Sequence, residues 1–358
     1  MPGRTLIVGA GALGGLFATR LLASGAEVAL ATRSADAAAQ LRASGLRVTG
    51  VGGAASVHAP EVAPLDAYRG RGAFDLILLA TKAHEAIEVA PALPLLLAPG
   101  GTLLSIQNGG VAEVLATIVG GDVLLGGLSN VGATMTAPGA YEQRNAGPLV
   151  VGELAGGESE RAERVRRSLA RGIEARVTSN FRGAVWAKLL LNCSVTTLGA
   201  VAGRTMREYV ASPEGRELFD LTYDETLAVA RAAGARPERF VVDPIPPPRR
   251  GPGEPAAARD AWVSQVVNGY GDVKASMLQD LERGRRTEID FVNGYAVDVG
   301  RRLGVPTPVN AAIVQTVHAI ARGELAPGPA LILRVLRLGR GEARGAEDGI
   351  TPGAPGAG

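Results

Sequence analysis

The chain has 358 residues, more than a single core usually holds, so two domains are expected. Its 37 basic and 35 acidic residues leave a formal net charge of +2. That balance excludes the electrostatic footprint of a nucleic-acid or membrane-surface binder and points to a small-molecule partner.

One cysteine, Cys193, excludes an internal disulfide framework and fits a reducing compartment. No leader is read before the first strand and no apolar run is read as approaching a membrane span, so the cytoplasm is the expected location. Only three of the basic residues are lysines: Lys82, Lys188 and Lys274. Where arginine fills nearly every cationic position, a lysine marks a need for an amine that can give up a proton.

In chain order, Leu6-Ile-Val8 suits a buried strand and runs into Gly9, Ala10, Gly11, Ala12, Leu13 and Gly14, then into the helical pattern Leu16, Leu21, Leu22. A strand, a tight turn and a helix start make a dinucleotide-binding fingerprint. Gly9 makes the turn, Gly11 lets the backbone approach a pyrophosphate, and Gly14 lets helix and strand pack closely. The unpaired N–H groups of the helix then face an anion. Ala26 to Thr32 reads as the second strand and ends in Arg33-Ser34. An NAD site would put an acid there; a cation and a hydroxyl suit a 2′-phosphate, so NADP is favoured, the alternative being a solvated arginine. Leu46 to Val57, broken by Gly50, Gly52 and Gly53, reads as a short hairpin insertion.

Phe74 to Ala80 is a buried parallel strand with Thr81 and Lys82 at its carboxyl end, and Thr102 to Ile106 ends similarly in Gln107-Asn108-Gly109-Gly110. Lys82 and Asn108 therefore point at one crevice. Val123 to Thr134 and Tyr141 to Val151 read as further strands, with Gly132 and Ala133 near enough to touch a cofactor. A charged helix over 159–172 and a last strand, Glu174 to Thr178, end the sheet. Beyond Asn180 the pattern is helical, over 181–200, 213–234, 257–283, 287–303 and 308–322. Asp243 to Pro255 is proline-rich and must be a stiff loop, and the tail has one amphipathic piece, Ala330 to Leu338, before fifteen residues expected to be disordered. The fold expected is α/β. A Rossmann-type, mostly parallel sheet domain covers 1–179, an all-helical substrate domain 180–325, and a low-complexity tail 326–358.

Two helical stretches carry chemistry. Trp186 to Ser194 is apolar almost all round yet holds Lys188 and Asn192, four apart and on one face. A buried ammonium is costly unless paired, and such groups cluster at functional sites; the alternative is a lysine that snorkels to water. Thr287 followed by Glu288, Ile289 and Asp290 reads as a helix start, so Glu288 has a capping alternative. His58, His84 and His318 lie in no recognisable Asp-paired context, Cys193 reads as a small buried residue, and no metal-ligand spacing is present.

In order, GAGALGG, ATK ending at Lys82, QNG with Asn108, W-x-K-x3-N-C from Trp186 to Cys193, and SMLQD with TEIDxxNG from Ser276 to Gly294 resemble the ketopantoate reductase family over residues 4–323. The resemblance implies NADPH-dependent reduction of ketopantoate (2-dehydropantoate) to pantoate, a step toward coenzyme A. It implies that Gly9 to Gly14 cradle the pyrophosphate, that Arg33 and Lys82 hold the 2′-phosphate end, that Ala133 lines the cofactor, and that Glu288 closes on it. Asn108 would reach cofactor and substrate, Lys188 would donate the proton, and Asn192 and Ser276 would fix the substrate. Thr196 stands where the family often has asparagine and can still donate a hydrogen bond; a further polar contact falls at Ala202-Gly203-Arg204-Thr205. Rival readings are another 2-oxo acid or a secondary-metabolite ketone, a β-hydroxyacid dehydrogenase relative, and a catalytically silent NADP-binding sensor. Lys188 and Glu288 are expected to swing toward the nucleotide by hinge closure, and the apolar helical half is compatible with a homodimer.

Overall fold

Thr5 to Val8 is buried at all four positions, the signature of a strand covered on both faces, and it lies in the interior of the sheet with a parallel strand on each side. The computed structural model describes residues 3–70, 73–240, 242–248, 257–272 and 274–342. The first half contains β1 (Thr5–Val8), α1 (Ala12–Ala23), β2 (Val28–Thr32), α2 (Ala35–Ser44), β3 (Leu46–Gly50), β4 (Ala55–Val57), β5 (Val62–Pro64), β6 (Phe74–Leu79), α3 (Ala83–Val89) and β7 (Leu97–Ser105). It continues through α4 (Val111–Val119), β8 (Leu124–Ser129), β9 (Ala133–Ala137), β10 (Ala140–Gln143), β11 (Leu149–Gly152), α5 (Glu160–Leu169) and β12 (Ala175–Val177).

Eight strands form the main sheet in the order β12-β11-β8-β7-β6-β1-β2-β5. All pairings are parallel except β11 with β8. The strand order reverses between β1 and β6, and the crevice beyond their carboxyl ends is where ligands of such sheets lie. A second sheet, β4-β3-β10-β9, lies against α1. The expected hairpin at 46–57 is its β3-β4 arm, and β3 also pairs with β10. The readings Val123 to Thr134 and Tyr141 to Val151 each prove to be two strands that serve different sheets, because the chain turns at 130–132 and 144–148.

Layering between two sheets explains α1. It is buried on nearly every side, and a Cβ at Gly15 would overlap the Tyr141 ring.

The second half contains α6 (Phe181–Leu191), a π turn over Asn192–Thr196, α7 (Thr197–Ala202), α8 (Met206–Tyr209), α9 (Pro213–Ala232), α10 (Ala257–Tyr270), α11 (Ser276–Glu282), a 3-10 turn over Ile289–Phe291, α12 (Asn293–Leu303), α13 (Pro308–Ala321) and α14 (Ala330–Gly339). The helix expected over 257–283 is two, α10 and α11, and the one expected from Thr287 begins six residues later, at Asn293. The sequence reading of no membrane-length run also needs correction. Phe181–Ala202 is 22 residues of continuous apolar helix, but 78% of its apolar window is buried, which makes it the core helix of the second half. The amphipathic piece of the tail is α14, whose Leu331, Ile332, Val335 and Leu336 join the helical core beside α13. The disorder expected for the last fifteen residues falls outside the described residues, as does the proline-rich loop beyond 248. The visible start of that loop lies over an aromatic platform. Tyr223 Oη donates to the Pro244 carbonyl, Trp262 Nε1 to that of Asp243, and Arg259 to that of Pro247.

Candidate active site

Gly9 has φ +106, and a Cβ there would come within 2.7 Å of Thr81 Cγ2, so only glycine makes this turn. A Cβ at Gly14 would overlap the Gly9 carbonyl oxygen. Gly11 differs: a Cβ there meets nothing within 4 Å. Gly11 is the N-cap of α1 and supplies no side-chain cap, so the first N–H groups of the helix face this open space. Tyr141, reaching in from the second sheet, donates its hydroxyl to the Ala10 carbonyl at 3.2 Å and props the turn from behind. Open space at Gly11 and the free N–H donors of the first helical turn fit a dinucleotide pyrophosphate. The buried Thr81 Oγ1 and Asn130 Oδ1, just past the ends of β6 and β8 on either side of β7, have no hydrogen-bond partner among the described residues and can meet a ligand.

Around that turn, Ser34 spends its hydroxyl on capping α2 by accepting from Ala37 N at 3.3 Å. Arg33 is 91% exposed and lies 3.7 Å from Glu85 on the first turn of α3, so its guanidinium is free to reach an anion at the same end of the sheet as Lys82. Gln107 ties the crevice floor together. Its Nε2 donates to the Leu79 and Thr81 carbonyls at 2.9 Å each, while its Oε1 accepts from Ser105 at 2.6 Å. Asn108 follows, half-buried, and Ala133 is half-buried at the start of β9.

The helical half meets this crevice through a polar seam. Lys82 Nζ lies 2.6 Å from Asp280 Oδ2, and the His84 ring is 3.1 Å from the Thr287 carbonyl. Glu288 Oε1 accepts from Ala83 N at 2.9 Å. Glu288 therefore does cap a helix, but it caps α3 in the other domain rather than a helix of its own. Tyr295 Oη donates to Glu113 Oε1 at 2.8 Å, and the Phe291 carbonyl accepts from Gly110 N at 3.3 Å. Gly109 and Gly110 have no room for a Cβ, because Phe291 and Tyr295 lie directly on them.

Lys188 projects from α6 into the same seam, where Nζ donates to the Ser129 carbonyl at 2.7 Å. Burial lowers its pKa to about 8, and the negative charge of Glu288 only partly opposes that. Just beyond, Asn192 and Thr196 bound the π turn and are both half-buried, while Cys193 between them is wholly buried, its thiol pushed up to about 12 by desolvation. Ser276 is exposed at the start of α11, which packs against the π turn.

Lys82, Glu288 and Lys188 are thus drawn to one seam, whereas Arg33 lies at its solvent edge. Four contributors were not singled out from sequence: Asp280, Gln107, Tyr141 and the Ser129 carbonyl. Asp280 and Gln107 sit inside quoted motifs, so a signal existed; a backbone carbonyl leaves none. His318 corrects the reading that no histidine is Asp-paired, since its Nε2 lies 2.8 Å from Asp290 Oδ1 on the exposed side of α13. Among the described residues no group of three or more His, Cys, Asp or Glu is placed to hold a metal ion.

Comparison with known proteins agrees with this geometry. The model described as ketopantoate reductase PanE/ApbA matches residues 5–156, and that of its C-terminal part matches 180–321. A 2-dehydropantoate 2-reductase of Archaeoglobus fulgidus is 30% identical over 322 residues, covering 89% of this chain and 98% of its own length. A PanE/ApbA family ketopantoate reductase from Ralstonia eutropha JMP134 superposes with TM-score 0.74 at 27% identity over 90% of this chain and 99% of the other. A D-mandelate dehydrogenase solved with NADH and anilino(oxo)acetate shares the fold, with TM-score 0.75 at 22% identity over 89% of this chain and 99% of the other. The glycine turn, the cross-domain seam and a match to both parts of the family along the chain lead to one conclusion: this protein belongs to the ketopantoate reductase PanE/ApbA family.

Proposed function

We propose that the protein reduces a 2-oxo acid with NADPH, and that the acid is ketopantoate, giving pantoate. The observation that carries the reading is Lys188, an amine with a lowered pKa, held by the Ser129 carbonyl in the seam between the glycine-turn domain and the helical domain. The bound dinucleotide would supply hydride to the ketone carbon. Lys188 then meets the negative charge that develops on the carbonyl oxygen and hands over its proton, while Asn108, Asn192 and Ser276 orient the acid; Thr196, expected to donate as well, spends its hydroxyl proton on the Asn192 carbonyl and is left as an acceptor. The backbone N–H groups of Gly9 to Gly14 would hold the pyrophosphate and the Arg33 guanidinium and Lys82 amine the 2′-phosphate end, Ala133 would line the cofactor, and Glu288 would fasten the helical domain over it. An exposed Arg33 with no acid at the end of β2 favours the 2′-phosphorylated cofactor.

Lys188→Ala tests this. Loss of a general acid costs about a hundredfold to ten-thousandfold in rate, so turnover should fall by that factor while NADPH binding, followed by fluorescence titration, stays intact. Full activity in the purified variant refutes the assignment. A second reading keeps the chemistry and changes the acid, and Thr196 favours it because its hydroxyl proton is already given to the Asn192 carbonyl. Steady-state rates with ketopantoate against a panel of 2-oxo acids separate the two.

A further inference from the structure

Asn293 is wholly buried, and its amide links two structures that neither the helix nor the loop around it explains. Its Nδ2 donates to the Cys193 carbonyl at 3.3 Å and to Asn310 Oδ1 at 3.0 Å. Asn310, also wholly buried, donates its own Nδ2 to Glu225 Oε2 at 2.9 Å. That carboxylate in addition accepts from Val309 N and Asn310 N, both at 2.9 Å. The direction of this relay is forced. Glu225 faces three donors, so Asn310 must turn its NH2 toward it and its oxygen toward Asn293. Asn293 must then spend both of its N–H bonds outward, one of them on Cys193.

Cys193 lies inside the π turn between α6 and α7, where the hydrogen-bond ladder departs from the i−4 pattern and carbonyls need outside partners. Three successive carbonyls accept from side chains, and the last two of them from outside the turn. Asn192 O accepts from the hydroxyls of Thr196 and Thr197, Cys193 O from Asn293, and Ser194 O from Tyr209. Among these donors, only Asn293 is anchored through a relay to a half-buried carboxylate, that of Glu225. It also follows Glu288 by five residues in the segment that closes on the glycine-turn domain.

We infer that Asn293 is a positioning residue: oriented by Glu225 through Asn310, it holds the π turn in the register that presents Asn192 and Thr196 beside Lys188. It touches neither substrate nor cofactor and acts through the turn. The inference rests on the reading of Asn192 and Thr196 as substrate contacts. It also gives the asparagine of the TEIDxxNG segment a task distinct from that of the glutamate.

The discriminating variant is Asn293→Asp, nearly the same shape but with no N–H to give. Its carboxylate would face the Cys193 carbonyl and the Asn310 oxygen, and turning Asn310 around would set that oxygen against Glu225. In the full-length protein, N293D should raise the KM for ketopantoate about tenfold, and more than Asn293→Ala does. The NADPH Kd should stay within about twofold. Should N293D fail to fold, Asn293→Ser, which keeps one donor, carries the same comparison against N293A. A KM within about twofold of the parent overturns the inference, as does an equal loss of KM, NADPH affinity and melting temperature, which would mean a structural role only. If the parent reduces no 2-oxo acid, the functional reading fails by itself. Hydrogen exchange still decides the inference in that case. Amides of Cys193 to Thr197 should exchange about tenfold faster in N293D while those of β1 and β6 do not change, and equal rates overturn it.

Discussion

Lys188 sets the scale on which a single side chain matters. Its pKa of about 8 in the fold lies below the 10.5 of an exposed lysine. The proton it must donate is therefore present below about pH 8 and absent above it, so kcat/KM for reduction should fall about tenfold per unit above that point. Stability runs the other way. Between about 8 and 10.5 the unfolded chain binds more protons at this site than the folded one, so stability rises with pH across that window. Urea melts of the parent against Lys188→Met should show the difference. Opposite slopes for turnover and stability assign both to the same amine, and parallel slopes would detach the pH profile from Lys188.

At the scale of the element, the glycine turn separates two requirements that one motif combines. Gly14→Ala drives a methyl into the Gly9 carbonyl and should cost about 1–3 kcal/mol in thermal or denaturant unfolding. Gly11→Ala places its methyl in open space, so melting should be unchanged while NADPH affinity drops about tenfold. Calorimetry and fluorescence titration of the pair would expose an error in either half. This division was legible from the residues, because strand, turn and helix are contiguous and each glycine has a local task. The second sheet was not. β3 pairs with β10, a partner distant in sequence, and no periodicity within Leu46 to Gly50 announces it. Nor did the residues foretell α2, whose alanine-rich face has little amphipathic contrast, or the π turn, which an i, i+4 reading passes through without a mark. Asp280 illustrates the same limit in the site: its quoted motif was visible, but its contact with Lys82 spans 198 residues.

For the whole molecule, the seam decides how the two domains stand to one another. Lys82 is 46% exposed, so its bond to Asp280 contributes only about 0–1 kcal/mol alone. The cap that Glu288 places on α3 adds a second fastening from the same helical domain. Removing both, in Asp280→Ala/Glu288→Ala, should enlarge the radius of gyration measured by X-ray scattering in the absence of nucleotide, and an unchanged profile would show that the apolar contacts of Phe291 and Tyr295 suffice. The position of α14 bears on how the chain can be cut. A version stopped at residue 321, where the family match ends, would uncover the faces of α13 and α9 that Leu331, Ile332, Val335 and Leu336 now cover. Such a truncated product should clump on concentration and light up a hydrophobic dye, while one that runs on to residue 342 should stay dispersed. Laboratories that trim this protein to its recognisable span would be discarding a wall of the building.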